Sequence, residues 1–264
     1  MLQRLRARRR ADDHTPARLA SAPAAPAGAD FYGAATVGAE TIGALATDLA
    51  LLRETLALVS RVADDEYVAY VRSFVEHGRA AAGDAWRYAD ITTVLAAAAR
   101  LLRPTAYLEI GVRRGRSAAV VAANAPDCSI VAVDMWNEGY AGMGNPGPDL
   151  VRRALAEAGH RGDLRFVTGD SHEELPPLFR ADPELTFDLI TVDGDHSTRG
   201  ARRDLEDVLP RLRIGGALVF DDVSHARHPG LARVFDRSVR RDRRYATWTF
   251  DDVGYGVAVA VRRW

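Results

Sequence analysis

The hydrophobic period of this chain changes at Pro104, and that change constrains the fold more than any other feature. Beyond it, five short apolar runs (107–110, 130–134, 164–168, 187–193 and 217–221) each lead through a loop into a helical stretch. Strict alternation of apolar strands with helices predicts a parallel sheet covered on both faces. The end breaks the pattern, because 245–250 and 255–261 flank Asp251-Asp252-Val253-Gly254 and read as a hairpin. The expected fold is α/β, a Rossmann-like doubly wound sheet that closes antiparallel. In such sheets ligands bind at the carboxyl ends of the strands, so the residues ending each run carry the functional argument.

Ahead of Pro104 the period is helical. Ile42, Leu45, Leu49, Leu52, Leu56 and Val59 recur at three- and four-residue steps and predict one amphipathic helix. A second is expected over 66–77 and a third over 88–102, so 31–103 reads as a helical cap before a main domain at 104–264. Residues 16–29 hold seven Ala and three Pro, and 1–30 is expected to be a disordered leader. The first ten residues are basic, but Asp12, Asp13 and His14 stand where an export signal would be apolar. No apolar run approaches the ~20 residues needed to span a bilayer, so the expectation is a cytoplasmic protein without a membrane partner. Balanced charge, 35 basic against 36 acidic residues, argues against a dedicated nucleic-acid binder. The single cysteine, Cys128, excludes a disulfide framework and a multi-thiolate zinc site. Every basic residue is arginine, so chemistry that needs a lysine is excluded. The apolar surplus of 31–103 predicts a homo-oligomer, a dimer or larger.

The first strand runs into Glu109-Ile-Gly111-Val-Arg-Arg-Gly115-Arg-Ser117. Gly111 permits a tight turn, and Gly115 lets backbone approach a ligand at a helix N-terminus. Glu109 beside that loop would repel a pyrophosphate, and the dinucleotide pattern Gly-x-Gly-x-x-Gly is absent, so a cationic, phosphate-free nucleoside suits the site better. Asp134 ends the second strand, where a carboxylate can accept both ribose hydroxyls, and Trp136 could lie against an adenine. After the third strand Asp170 could accept from an adenine amino group. Ser171 either contacts the ligand or caps the next helix, with Glu174 completing a capping box.

Strands four and five deliver Asp193-Gly194-Asp195-His196-Ser197 and Asp221-Asp222-Val223. Four carboxylates gathered with an imidazole need a compensating cation or a raised pKa. Oxygen ligands favour a hard ion such as Mg²⁺. Asp195 or Ser197 could instead cap the following helix. His225 and His228 read as surface histidines, and the five arginines of 237–244 as a solvated helix end. The glycine-rich 137–148 insertion beside the presumed pocket reads as a lid or a long connection.

These residues resemble the class I S-adenosylmethionine-dependent methyltransferases. Glu109-x-Gly111-x-x-x-Gly115-x-Ser117, Asp134, Gly169-Asp170, Asp193-Gly-Asp-His196 and Gly215-Gly-Ala-Leu-Val-Phe-Asp-Asp222 are similar to the metal-dependent small-molecule and sugar O-methyltransferases of that class. The resemblance implies strand order 3-2-1-4-5-7-6 and S-adenosylmethionine bound along Glu109, Gly111, Gly115, Ser117, Asp134, Trp136, Asp170, Ser171 and Asp193. It also implies Mg²⁺ on Asp193, Asp221 and Asp222, and a hydroxyl of a small molecule as acceptor. Relatives take the proton on an aspartate matching Asp195 or a histidine matching His196, and this chain has both. N-methylation or a non-methylating relative of the fold is the alternative, ahead of a nicotinamide oxidoreductase or a non-enzymatic interaction protein.

Overall fold

The structure is a computed structural model that describes residues 35–139, 144–145 and 147–264. The leader expected for 1–30 lies outside the described residues, as do 140–143 and 146 of the glycine-rich insertion.

Seven strands, β1 (Ala106–Ile110), β2 (Ser129–Asp134), β3 (Leu164–Thr168), β4 (Phe187–Val192), β5 (Leu212–Asp221), β6 (Tyr245–Phe250) and β7 (Val257–Arg262), form one sheet. Their order is β3-β2-β1-β4-β5-β7-β6. The first five pair parallel, whereas β7 runs antiparallel to β5 and to β6, so the expected topology is the observed one. Alternate residues of each strand enter opposite cores, the period-two consequence of the pleat. Tyr107, Ile130, Leu189, Val219 and Val259 share one core with the helices α4 (Ile91–Leu102) and α5 (Arg116–Asn124). Leu108, Val133, Ile190, Phe220 and Ala260 share the other with α7 (Ser171–Ala181) and α8 (Thr198–Val208).

The expected first helix is two, α1 (Ala39–Ala46) and α2 (Leu49–Val62). The break has a local cause. The Asp48 carboxylate accepts from the Ala50 and Leu51 amides, starting a new helix where the apolar spacing alone read as continuous. Helix α3 (Glu66–Ala82) is longer than expected, and α4 begins three residues late, because Asp90 and Thr93 close a reciprocal capping box there. Residues of α1 and α4 lie in the same core as the strands, so much of the apolar surplus of 31–103 is consumed within the chain. Among the described residues, no helix is long and apolar enough to cross a membrane.

Candidate active site

A cleft of about 1000 Å³ opens along the carboxyl ends of β1 to β5. Among the described residues, three of the four non-glycine residues with positive φ sit in the loops that leave these strands: Arg113 at 50°, Trp136 at 54° and Asp222 at 60°. Strain of that kind persists where surrounding contacts over-determine it, as they do around a built site.

At the end of β1 the sequence residues divide. Gly111, at φ 88°, lines the cleft, but a Cβ there would sit 1.9 Å from the Asp193 carbonyl oxygen. Glycine is therefore required by the crossing of two loops. Gly115, at φ 76°, is the N-cap of α5 and packs against Val151 of α6 (Pro148–Glu157), outside the cleft lining. Glu109 is fully buried and does not line the cleft; it accepts from Ser117 Oγ and, at 3.0 Å, from the Tyr107 hydroxyl. Burial raises its carboxyl to about 8, against the lowering pull of those two hydrogen bonds. A largely neutral Glu109 corrects the expectation that its charge repels a pyrophosphate. Its structural effect is to hold Ser117, which does line the cleft, at the start of α5.

Asp134 lines the cleft, with Oδ2 accepting from the Arg113 amide at 2.7 Å and Oδ1 from the Trp136 amide at 2.6 Å. The carboxylate is thereby oriented by backbone, with lone pairs left for a ligand. Trp136 corrects an expectation. Its indole meets Phe166 edge-on at 6.0 Å and donates to Thr168 Oγ1 at 3.1 Å, so it lies outside the lining while Met135 takes the place beside the cleft. Asp170, not Ser171, caps α7 by accepting from the His172 amide at 2.9 Å. Ser171 Oγ donates instead to the fully buried Asp204 at 2.6 Å.

On the far side of β1, Asp193, His196 and Asp222 can bring one donor atom each within 4.8 Å of one another. His196 Nε2 lies 3.1 Å from Asp193 Oδ1, and Nδ1 lies 3.5 Å from Asp222 Oδ2. Burial would lower this imidazole, but the hydrogen bond and charge of Asp193, with Asp222 and Asp195, raise it. Burial, then Asp193, pushes the Asp222 carboxyl up to about 6, and burial with Asp193 and Asp222 pushes Asp221 well above its usual range. Asp221 thus feels the cluster's charge while its oxygens stand outside the converging set. Asp195 lines the same cleft, but both its oxygens accept from Ser197, the N-cap of α8.

Several lining residues carried no functional expectation. His225 and His228 are not isolated surface residues: the His228 ring lies 4.8 Å from His196 and 4.7 Å from His225, whose ring in turn lies 4.1 Å from Tyr255. Tyr67 and Tyr70 of α3, with Tyr88 and Asp90 ahead of α4, complete the wall. Tyr88 donates to Asp90 at 3.0 Å. Asp90 caps α4 and also lines the cleft, because tertiary packing brings α3 and α4 over the strand ends.

Residues 108–223 match the family described as a methyltransferase domain. Solved structures give the same fold at low identity. An O-methyltransferase of Streptomyces achromogenes involved in tomaymycin synthesis, bound to S-adenosylmethionine, is 22% identical over 86% of this chain and 96% of its own, with a TM-score of 0.53. An O-methyltransferase of Bacillus cereus bound to S-adenosylhomocysteine is 19% identical over 77% and 94%, also at 0.53. A calicheamicin methyltransferase is 18% identical over 84% and 96%, at 0.51. No curated protein matches in sequence. Residues 108–223 are therefore similar to a methyltransferase domain, and the chain shares the fold of these solved O-methyltransferases.

Proposed function

We propose that the chain methylates a hydroxyl of a small molecule with S-adenosylmethionine, assisted by a divalent cation. The observation that carries this reading is the Asp193, His196 and Asp222 cluster, which lines one cleft together with Asp134 and Asp170. The sulfonium supplies an electrophilic methyl, and a cation would lower the pKa of a chelated hydroxyl. The donor set fits a cation, because burial and the neighbouring Asp193 charge push the Asp221 and Asp222 carboxyls up, and crowded like charge calls for neutralisation.

Asp193 and Asp222 would hold that cation, with Asp221 adding charge behind them. His196 is the preferred proton acceptor. Its imidazole is raised by Asp193 after burial is overcome, and an alcohol needs a base whose pKa lies near the working pH. Asp195 instead fixes the loop by its bonds to Ser197 at the start of α8. Asp134 orients the nucleoside through ribose contacts.

Calorimetric titration with S-adenosylhomocysteine, with and without Mg²⁺, tests the reading. Binding is expected in both, with Mg²⁺ required only for turnover of an acceptor. Absence of S-adenosylhomocysteine binding would overturn it, and full turnover in EDTA would overturn the metal role.

A further inference from the structure

Helix α3 carries two residues of the cleft wall, Tyr67 and Tyr70, yet little apolar surface holds it down. Of its 17 residues three are buried: Val68 in the main core, and Val71 and Val75 in a small separate cluster with Leu52 and Tyr88. An element with so few buried contacts is among the first to open locally. The polar contacts at its start therefore weigh heavily in placing those two rings.

These contacts converge on Asp65. Its Oδ1 accepts from the Val68 amide at 3.1 Å and caps α3. Its Oδ2 reaches the loop after β1, lying 2.6 Å from Arg116 Nη1 and 3.2 Å from Arg114 Nε. The Asp65 and Arg116 side chains are each only 12% exposed. The neighbouring pair of Asp64 with Arg72 is the contrast: at 3.2 Å it is 59% and 41% exposed, where an ion pair holds little.

We infer that Asp65 is a positioning residue that joins α3 to the loop of Gly111 to Ser117, so that a ligand filling the cofactor site fixes Tyr67 and Tyr70 in place. This rests on the methyl-transfer reading and adds a physical link between the two ends of the cleft.

The loop is braced on the cofactor side as well. The Arg113 amide donates to Asp134 at 2.7 Å, Ser117 lines the cleft, and Arg114 Nη1 donates to the Gly144 carbonyl at 3.2 Å. A ligand that settles on Asp134 and Ser117 thereby steadies the backbone that carries Arg114 and Arg116. Through Asp65 the same restraint passes to the first turn of α3. Tyr67 is tied a second time, because the Arg116 guanidinium lies 4.7 Å from its ring centre.

Charge explains why an acid holds this place. Arg113, Arg114 and Arg116 crowd one loop. Burial lowers the Arg116 guanidinium, Asp65 is the largest influence against that, and Arg113 and Arg114 lower it further. Without the Asp65 charge, partly buried like charges would face one another with nothing to draw them to α3.

Hydrogen exchange on the full chain, with and without saturating S-adenosylhomocysteine, reads the link without an acceptor. In wild type the ligand should slow the amides of residues 66–75 by about fivefold or more, a common size for coupling between sites. Asp65→Asn keeps a side-chain oxygen for the α3 cap and loses the charge. In that variant the slowing over 66–75 should fall to about twofold or less, while slowing beside Asp134 persists. Coupling is reciprocal, so the variant should also bind S-adenosylhomocysteine weaker by a matching factor of about two or more. A merely structural role would speed exchange in α3 equally with and without ligand. Asp64→Asn, which removes the exposed pair next door, should behave as wild type; an equal loss there overturns the assignment to Asp65. Where Asp65→Asn does not melt cooperatively, Arg114→Gln leaves Asp65 its cap and its Arg116 partner. A partial loss of slowing in it supports the link, and an unchanged value overturns it. Equal slowing in wild type and Asp65→Asn overturns the proposal, as does wild type that binds S-adenosylhomocysteine with no slowing in α3. Both results leave the methyltransferase reading standing. If S-adenosylhomocysteine itself fails to bind, both readings fall.

Discussion

At the Asp134 end of the cleft, backbone shapes the site; at the Asp222 end, side chains from distant segments do. Asp134 is aimed by two main-chain amides, and Gly111 is fixed by the crossing of the β1 and β4 loops. Both lie inside the matched segment 108–223. The Asp222 end adds Tyr67, Tyr70, Tyr88, Asp90, His225 and Tyr255, none of which falls in that segment. One end follows from the topology of a doubly wound sheet, and the other from how this chain packs its first helices and its last hairpin over it. The Asp134 end should therefore respond to substitution through cofactor affinity, and the Asp222 end through turnover.

The largest expected effect tests that separation directly. His196→Ala should cut methyl transfer by ~10²–10⁴, the usual contribution of a positioned base. S-adenosylhomocysteine affinity should stay within about twofold, because the imidazole faces Asp193 and Asp222 and not the Asp134 end. A parallel Asp195→Asn variant should retain most activity, since its oxygens already serve Ser197. Activity lost in Asp195→Asn and kept in His196→Ala would exchange the two roles.

On the other side, Asp134→Ala should weaken S-adenosylhomocysteine by ~1.5–3 kcal/mol, the range for hydrogen bonds to a charged acceptor. Two backbone amides also lose their partner, so a thermal melt should accompany the titration. Unchanged affinity in a folded variant would move the ribose away from β2.

Glu109 lies beneath both ends and sharpens the contrast through pH. Its carboxyl holds a proton up to about pH 8 when folded, against an ordinary value of 4.5 in the unfolded chain. The native state therefore binds the extra proton between those values, and stability contributed by Glu109 falls as pH rises through that window. Glu109→Gln removes the titration, so its melting temperature should decline less than wild type between pH 5 and pH 9, at roughly 2–4 °C per kcal/mol for a domain of this size. Parallel melting curves for the two proteins would show that Glu109 is ionised throughout.

What was legible in the sequence follows the same division. The strand ends carrying Asp134, Asp170, Asp193 and Asp222 announce themselves by a short apolar run followed by an acid, and the sheet brings them to one edge. Local hydrogen bonding was harder to read. Asp48 and Asp90 act as caps that shift helix boundaries, and Asp170 takes the capping role that Ser171 also fitted. Least legible was the aromatic wall. At helical spacing Tyr67, Tyr70 and Phe74 look like part of an ordinary amphipathic face, and nothing local tells a core ring from a cleft ring.

The smallest expected effect concerns Trp136, the one aromatic residue that the sequence assigned to the nucleoside and the structure turns away from it. Its φ of 54° directs the chain so that Met135 borders the cleft while the indole packs on Phe166 and donates to Thr168. Trp136→Phe keeps an aromatic ring beside Phe166 while trimming the indole's packing and removing that hydrogen bond, the bond itself worth about 1 kcal/mol of stability or less. S-adenosylhomocysteine affinity should stay within about twofold, because no lining atom is removed. Met135→Ala removes exposed surface from the cleft itself and should weaken the same ligand by about 1 kcal/mol, the scale of a partly buried thioether chain. Comparing the two affinities decides which side chain covers the base. A loss in Trp136→Phe that exceeds the loss in Met135→Ala would mean the indole swings onto the nucleoside when it binds, and that the loop after β2 is not held by backbone alone.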